Sequence, residues 1–208
     1  MKIKICGFRD EQNIKDIDSE AIDFLGFIFY EQSPRYVGTS FQMPKTSKLK
    51  VGVFVNETAE NILKFRKQYD LDCIQLHGNE TVELCKELKE NGCKIIKAFG
   101  VSDSFSFQKC TDYELYTDLF LFDTATANYG GSGQLFSWEL LANYQGNLPF
   151  LLSGGLGLEQ MDELKKFTHP KLYGYDFNSA LEIAPAYKDI QKVQKLIQLL
   201  RNEEISTQ

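Results

Sequence analysis

Histidine is nearly missing from this chain: two occur in 208 residues. The five cysteines (Cys6, Cys73, Cys85, Cys93 and Cys110) include no C-x-x-C pair, so no zinc-ligand spacing is present. Their number is odd, and free thiols fit a reducing compartment better than a disulfide scaffold. Basic residues number 23 against 29 acidic ones, for a net charge of −6, and no basic run occurs. That argues against a nucleic-acid footprint. No apolar run approaches the roughly 18 residues of a membrane span, and no charged-then-apolar leader opens the chain. The expectation is a soluble cytoplasmic protein without membrane or nucleic-acid partners. An anionic ligand must then find its positive groups locally.

What the chain does have is repetition. Short apolar runs recur at 2–6 (KIKIC), 24–29 (FLGFIF), 50–55 (KVGVFV), 73–76 (CIQL), 94–99 (KIIKAF), 119–123 (LFLFD), 150–153 (FLLS) and 172–176 (LYGYD). They are short and rich in Ile, Val, Phe and Tyr, which favours strand. Helical stretches lie between them. NETAENILKFRKQY places Ile62, Leu63, Phe65 and Tyr69 at helical spacing after polar cap candidates. NETVELCKELKENG puts Val82, Cys85 and Leu88 on one face and stops at Gly92. LEQMDELKKF and KDIQKVQKLIQLLRN read the same way. Strands alternating with helices give a parallel sheet, and eight such units give a closed (β/α)8 barrel over 1–202. Residues 203–208 are expected as a frayed tail. The second unit, YEQSPRYVGTSFQMPKTSKLK, has two prolines and little helical period, so its helix is expected to be short or irregular.

Barrel sites sit at the C-terminal ends of the strands. There the chain places Cys6, Ser33-Pro34-Arg35, Asn56, His77, Asp123, Ser153-Gly154-Gly155 and Asp176-Phe177-Asn178-Ser179. Strand parity sharpens the grouping, because alternate residues share a face. Ile3 and Ile5 suit the helix layer, so Cys6 points into the barrel with Lys2 and Lys4. Asp123 shares its face with Leu119 and Leu121, and His77 with Gln75 and Cys73. Cys6, His77 and Asp123 thus converge on one mouth. Gly154, Gly155 and a short helix capped by Asn178-Ser179 suit a phosphate. Gly130, Gly131 and Gly133, after the sixth strand, suit a loop that closes over substrate.

Together these stretches resemble the phosphoribosylanthranilate isomerase family of the tryptophan pathway. The matching segments are KICG (4–7), GFIFYEQSPRYV (26–37), VGVFVN (51–56), IQLHG (74–78), LFDT (121–124), GGSGQLFSW (130–138), LLSGGL (151–156) and YDFNSALE (175–182). The resemblance implies a TIM barrel, monomeric or dimeric, that takes a phosphorylated small molecule and needs no metal or organic cofactor. It implies Cys6 as general base and Asp123 as general acid. It makes Arg35 the partner of the substrate carboxylate, with Ser153, Gly154, Gly155, Asn178 and Ser179 holding the phosphate. His77 is expected in the pocket wall. The types suit the chemistry. A guanidinium grips a carboxylate bidentately. A thiolate serves as base if its pKa is drawn down toward neutrality.

The chain departs from the family pattern at Gln134 and Ser137, where a lysine and an aspartate are common, and at Ala180 and Ala186, where glycines are common. These departures bear on loop closure and substrate affinity. Each residue also has a plainer reading. Cys6 could be a small buried hydrophobe and Asp123 a turn residue. Asp176 reads as a cap, a turn residue or support for the phosphate loop. Trp138 and Phe136 read as core anchors of a sixth helix. The competing functions are a sugar-phosphate epimerase, the related histidine-pathway isomerase, which uses two aspartates, and a barrel that only binds a phosphorylated metabolite.

Overall fold

Eight parallel strands close on themselves in sequence order. The computed structural model describes residues 1–124 and 138–206. The strands are β1 (Lys2–Cys6), β2 (Phe24–Ile28), β3 (Leu49–Phe54), β4 (Cys73–Leu76), β5 (Ile95–Val101), β6 (Leu119–Thr124), β7 (Phe150–Leu152) and β8 (Leu172–Phe177). A two-stranded antiparallel ribbon, β9 (Glu182–Ala184) with β10 (Tyr187–Lys188), follows the barrel's last strand. The α-helices among the described residues are α1 (Glu11–Asp18), α2 (Ala59–Tyr69), α3 (Val82–Glu90), α4 (Met161–Lys166) and α5 (Ile190–Ser206).

The helix starts are set by side chains that satisfy otherwise orphaned N–H groups. Asp10 accepts from the Asn13 amide ahead of α1, Thr58 from Asn61 ahead of α2, and Thr81 from Leu84 ahead of α3. Stops are equally local. Asp70 takes a left-handed conformation after α2, and Gly92 does so just past α3.

Side-chain parity divides the core in two. Ile3, Ile5, Leu25, Phe27, Phe120 and Phe122 face the helix layer within one large apolar cluster. Phe24, Val51, Cys73, Ile96, Ala98, Leu119, Leu121 and Leu151 fill the barrel interior. Above them Cys6, Ile28 and Val53 form a third group at the mouth. The interior assignments of Cys6, His77 and Asp123 made from alternation therefore hold.

The helix layer departs from eightfold regularity in three places. No helix joins β2 to β3, where a short or irregular one was expected; the two prolines of this segment break helical runs. After β5 there is a 3-10 helix, Phe107–Tyr113, and after β6 another, Trp138–Asn143. In the first of these, aromatic contacts replace a helical apolar stripe: Phe105 meets Phe107 edge-on, and Phe107 meets Phe122. Trp138 is buried and packs against Phe167, so it anchors this short turn rather than a sixth α-helix. Phe136 lies outside the described residues. The last helix continues to Ser206, beyond the boundary at 202 expected from the sequence.

Leu121 is fully buried in the barrel interior, where neighbouring strands cannot collapse onto a gap. Leu121→Ala should therefore cost about 2–5 kcal/mol of stability. Urea unfolding with an unchanged m-value checks this, and a loss below about 1 kcal/mol would show that the interior relaxes.

Candidate active site

Cys6 ends β1 opposite Gly26 of β2. A side-chain carbon on Gly26 would lie 2.6 Å from the Cys6 sulfur, so the thiol occupies space that only a bare neighbour leaves. Gly7 then turns the chain at φ +84°. A Cβ there would meet Asn178 Oδ1 at 2.7 Å and Arg35 Cδ at 2.8 Å. Gly7 makes room for these two side chains of the protein itself.

Beneath Cys6, Lys4 and Asp176 are register partners on β1 and β8. The Lys4 ammonium lies 2.9 Å from both carboxylate oxygens, and the two side chains are 0% and 5% exposed. Asp176 is thus neither a cap nor a turn residue: it is an interior charge matched by Lys4. Burial pushes Asp176 up, and Lys4 opposes this without cancelling it. Burial pushes Lys4 down, but attraction to Asp176 leaves it raised.

Cys6 feels all of these groups. Burial pushes its thiol up from the usual value; Lys4 and Lys188 pull it down, Asp176 pushes it further up, and the net direction is up. A thiolate base needs a pKa drawn down toward neutrality, and the groups around Cys6 act in net the other way. At this buried position the loss of hydration outweighs the nearby ammonium groups.

One cavity, with about 720 Å³ of space including its open mouth, is lined by Cys6, His77, Asp123, Ser153, Gly154, Gly155, Asn178 and Ser179. Asp176, Gln75, Tyr30 and Ser33 contribute to the same lining. Ten of the strand-end residues singled out from the sequence thus meet in one place. His77 Nε2 lies 3.3 Å from Asp123 Oδ2, with each side chain 26% exposed. His77 Nδ1 lies 2.8 Å from Gln75 Nε2. The turn carrying His77 is held from outside the barrel. Glu80 accepts from the Asn56 and Gly78 amides and pairs with buried Lys97 at 2.8 Å.

The glycine turn after β7 has the features of an anion site. Gly154 and Gly155 take φ values of +95° and +66°, and among the described residues nothing accepts from their N–H groups. Successive amides in such a turn form an anion-binding concavity. The Ser153 amide is already used, donating to Phe122 O at 2.8 Å. Asn178 precedes a 3-10 turn, Ser179–Leu181, but its side chain does not cap it. Its Oδ1 instead accepts from Lys188 Nζ at 2.9 Å.

Arg35 is brought near but is not in the cavity lining. Its Nε and Nη2 donate to both oxygens of Glu182, at 2.7–3.0 Å. Glu182 also accepts from Lys188 at 2.7 Å and from the Ala186 amide. Burial pushes Glu182 up, but Arg35 and Lys188 together hold it below its ordinary value. Glu182 and Lys188 were missed in the sequence. Glu182 stands 147 positions from its arginine, and no local pattern marks such a pair. Ala186 sits in the same ribbon turn at φ +68°. Gly130, Gly131, Gly133, Gln134 and Ser137 lie outside the described residues.

The closed parallel barrel, with its polar groups gathered at the C-terminal strand ends, is that of a (β/α)8-barrel enzyme. The model of one family, N-(5'-phosphoribosyl)anthranilate (PRA) isomerase, matches residues 3–199. An N-(5'-phosphoribosyl)anthranilate isomerase of Parabacteroides distasonis is 44% identical, covering 100% of this chain and 96% of that one. The crystal structure of phosphoribosyl anthranilate isomerase from Thermotoga maritima superposes with a TM-score of 0.83 at 31% identity, covering 97% and 99% of the two chains. A phosphoribosyl anthranilate isomerase solved with reduced 1-(o-carboxyphenylamino)-1-deoxyribulose 5-phosphate matches with a TM-score of 0.80 at 30% identity, covering 97% and 99%. The chain belongs to the phosphoribosylanthranilate isomerase family. Among the described residues, no helix is long and apolar enough to cross a membrane.

A thiol raised above its ordinary value is mostly protonated near neutrality and reacts slowly. Iodoacetamide at pH 8 should label Cys6 more slowly than free cysteine, with the rate still rising above pH 9. Peptide mass spectrometry reads this; labelling faster than free cysteine at pH 7 would overturn the raised value.

Proposed function

We propose that Cys6 and Asp123 carry the two proton transfers by which this isomerase converts N-(5-phosphoribosyl)anthranilate to 1-(2-carboxyphenylamino)-1-deoxyribulose 5-phosphate. The observation that carries the reading is the shared cavity. A thiol, a carboxylate and an open amide turn line one space at the end of the barrel where such sites form.

The reaction is an aldose–ketose rearrangement. Asp123 gives a proton to the ribose ring oxygen, and the ring opens to a Schiff base. Cys6 removes the C2 proton, leaving an enolamine that relaxes to the ketone. Lys4 and Lys188 are the cations that favour the thiolate once it forms. The Gly154 and Gly155 amides, with Ser153, Asn178 and Ser179 beside them, hold the phosphate. Arg35 takes the anthranilate carboxylate, its guanidinium angled by Glu182. Phosphate at one end and carboxylate at the other fix the sugar between acid and base, which is where positioning contributes most.

A phosphorylated small molecule is thus the substrate, and a cytoplasmic setting suits the five unpaired thiols. A barrel that only binds a phosphorylated metabolite would need the amide turn but not the thiol and carboxylate beside it.

The test is the fluorescence decay of freshly made phosphoribosylanthranilate. The parent protein should turn it over. Asp123→Asn and Cys6→Ser should each be slower by at least about 10²-fold while keeping the parent's circular dichroism. Activity of Asp123→Asn within tenfold of the parent removes Asp123 as the acid, and the same result for Cys6→Ser removes Cys6 as the base. Arg35→Lys keeps the charge but loses the fork, so it should raise KM more than it lowers kcat. An unchanged KM would place the substrate carboxylate elsewhere.

A further inference from the structure

Lys188 ends the ribbon strand β10 and is 1% exposed, beside the cavity but not in its lining. Its Nζ donates to Asn178 Oδ1 at 2.9 Å and to Glu182 Oε1 at 2.7 Å, with the Asn178 main-chain carbonyl further off at 3.4 Å. Asn178 does line the cavity, with Ser179 and the Ser153-Gly154-Gly155 turn. The chain after Asn178 and the chain after that turn are in close contact: a Cβ on Gly157 would meet the Ala180 Cβ at 2.7 Å.

We infer that Lys188 is a positioning residue: it turns the Asn178 side chain so that the amide hydrogens, and not the carbonyl oxygen, face the phosphate of the substrate. The inference rests on the reading of this end of the cavity as the phosphate site.

The orientation follows from donors and acceptors. An ammonium donates only, so the Asn178 atom that faces it is the oxygen. The other neighbours of Nζ call for an ammonium. The Asn178 main-chain carbonyl can only accept. Burial raises Glu182, but Arg35 and Lys188 hold it below its ordinary value, so a carboxylate faces Nζ. Burial lowers Lys188 from its ordinary value, and attraction to Glu182 opposes this. The place of Oδ1 is also kept open from β1, since a Cβ on Gly7 would lie 2.7 Å from it.

With the oxygen given to Lys188, the remaining polar atom of the side chain is Nδ2. No acceptor for it occurs among the described residues. It is not sealed off either: the side-chain polar atoms buried without a partner among the described residues are Gln75 Oε1 and Trp138 Nε1. The amide hydrogens are thus left for a ligand. Lys188 cannot take that part itself, because its own hydrogens are spent on oxygens of the protein. The reverse orientation would set a carbonyl oxygen against an anion and a donor against an ammonium.

Inorganic phosphate, as a competitive inhibitor of the isomerisation, is the probe. In Asn178→Ala its Ki should rise about tenfold, the weight of one hydrogen bond to a charged group. Asn178→Asp keeps an oxygen for Lys188 but puts a second oxygen where Nδ2 stands, so its Ki should rise further than that of Asn178→Ala. Lys188→Met should keep the parent's circular dichroism and raise KM for the substrate more than it lowers kcat. Its phosphate Ki should rise about tenfold as well. In the Asn178→Ala background the same Lys188→Met change should move Ki less than about threefold, because the two residues act as one unit. A Lys188→Met effect that persists undiminished in that background shows a bare charge acting at a distance and overturns the inference. An Asn178→Asp protein whose Ki stays within about twofold of the parent also overturns it, even where Lys188→Met does not fold. If phosphate competes with substrate equally in the parent and the variants, the phosphate reading stands and the inference falls. If phosphate does not compete in the parent, both fall.

Discussion

The ion pair between Lys4 and Asp176 governs the upper half of this barrel. Both side chains are out of water, and neither could remain charged there alone. Removing one partner of such a pair typically costs about 3–5 kcal/mol, because the other is left as an uncompensated charge. The pair occupies the interior just below the mouth, where a regular barrel would have apolar side chains. It therefore marks the level at which packing gives way to chemistry. Below it lie Leu119, Leu121 and Leu151. Above it lies the thiol, whose protonation is a contest between burial and the lysine.

A second polar network does for the outer rim what this pair does for the interior. Glu182 ties Arg35, from the loop after β2, to Lys188 of the ribbon. Lys188 reaches Asn178 beside the glycine turn, and its backbone is bonded both ways to the Asn13 side chain of α1. Three segments distant in sequence are thus fastened into one wall. The proposed carboxylate and phosphate sites are joined through that wall. The ion pairs of that wall are largely buried.

Much of this was legible in the chain. The strands are short β-branched and aromatic runs, and alternation placed Cys6, His77 and Asp123 on the inner face. The helices that were legible carry side-chain caps and a regular stripe, as α2 and α3 do. The 3-10 turns after β5 and β6 were not legible, because their order comes from aromatic contacts with other elements. The state of Cys6 was not legible either, since desolvation is a property of the closed barrel and not of its first strand. Glu182 and Lys188 carry no local signal. Gln75 does carry one: a polar residue on the inward parity of a strand, two before a histidine, has to satisfy its amide somewhere.

The notch at Gly26 couples two positions of the chain that are twenty residues apart. The sulfur of residue 6 fills volume that residue 26 leaves empty, so the thiol's place depends on residue 26 staying bare. Drift at 26 toward even alanine is closed by more than the thiol, because the added carbon would also lie 2.9 Å from the Cα of residue 6 and 3.0 Å from its Cβ. The base is thereby sized by the strand beside it. Any redesign of this barrel for another proton acceptor at residue 6 has to leave residue 26 without a side chain.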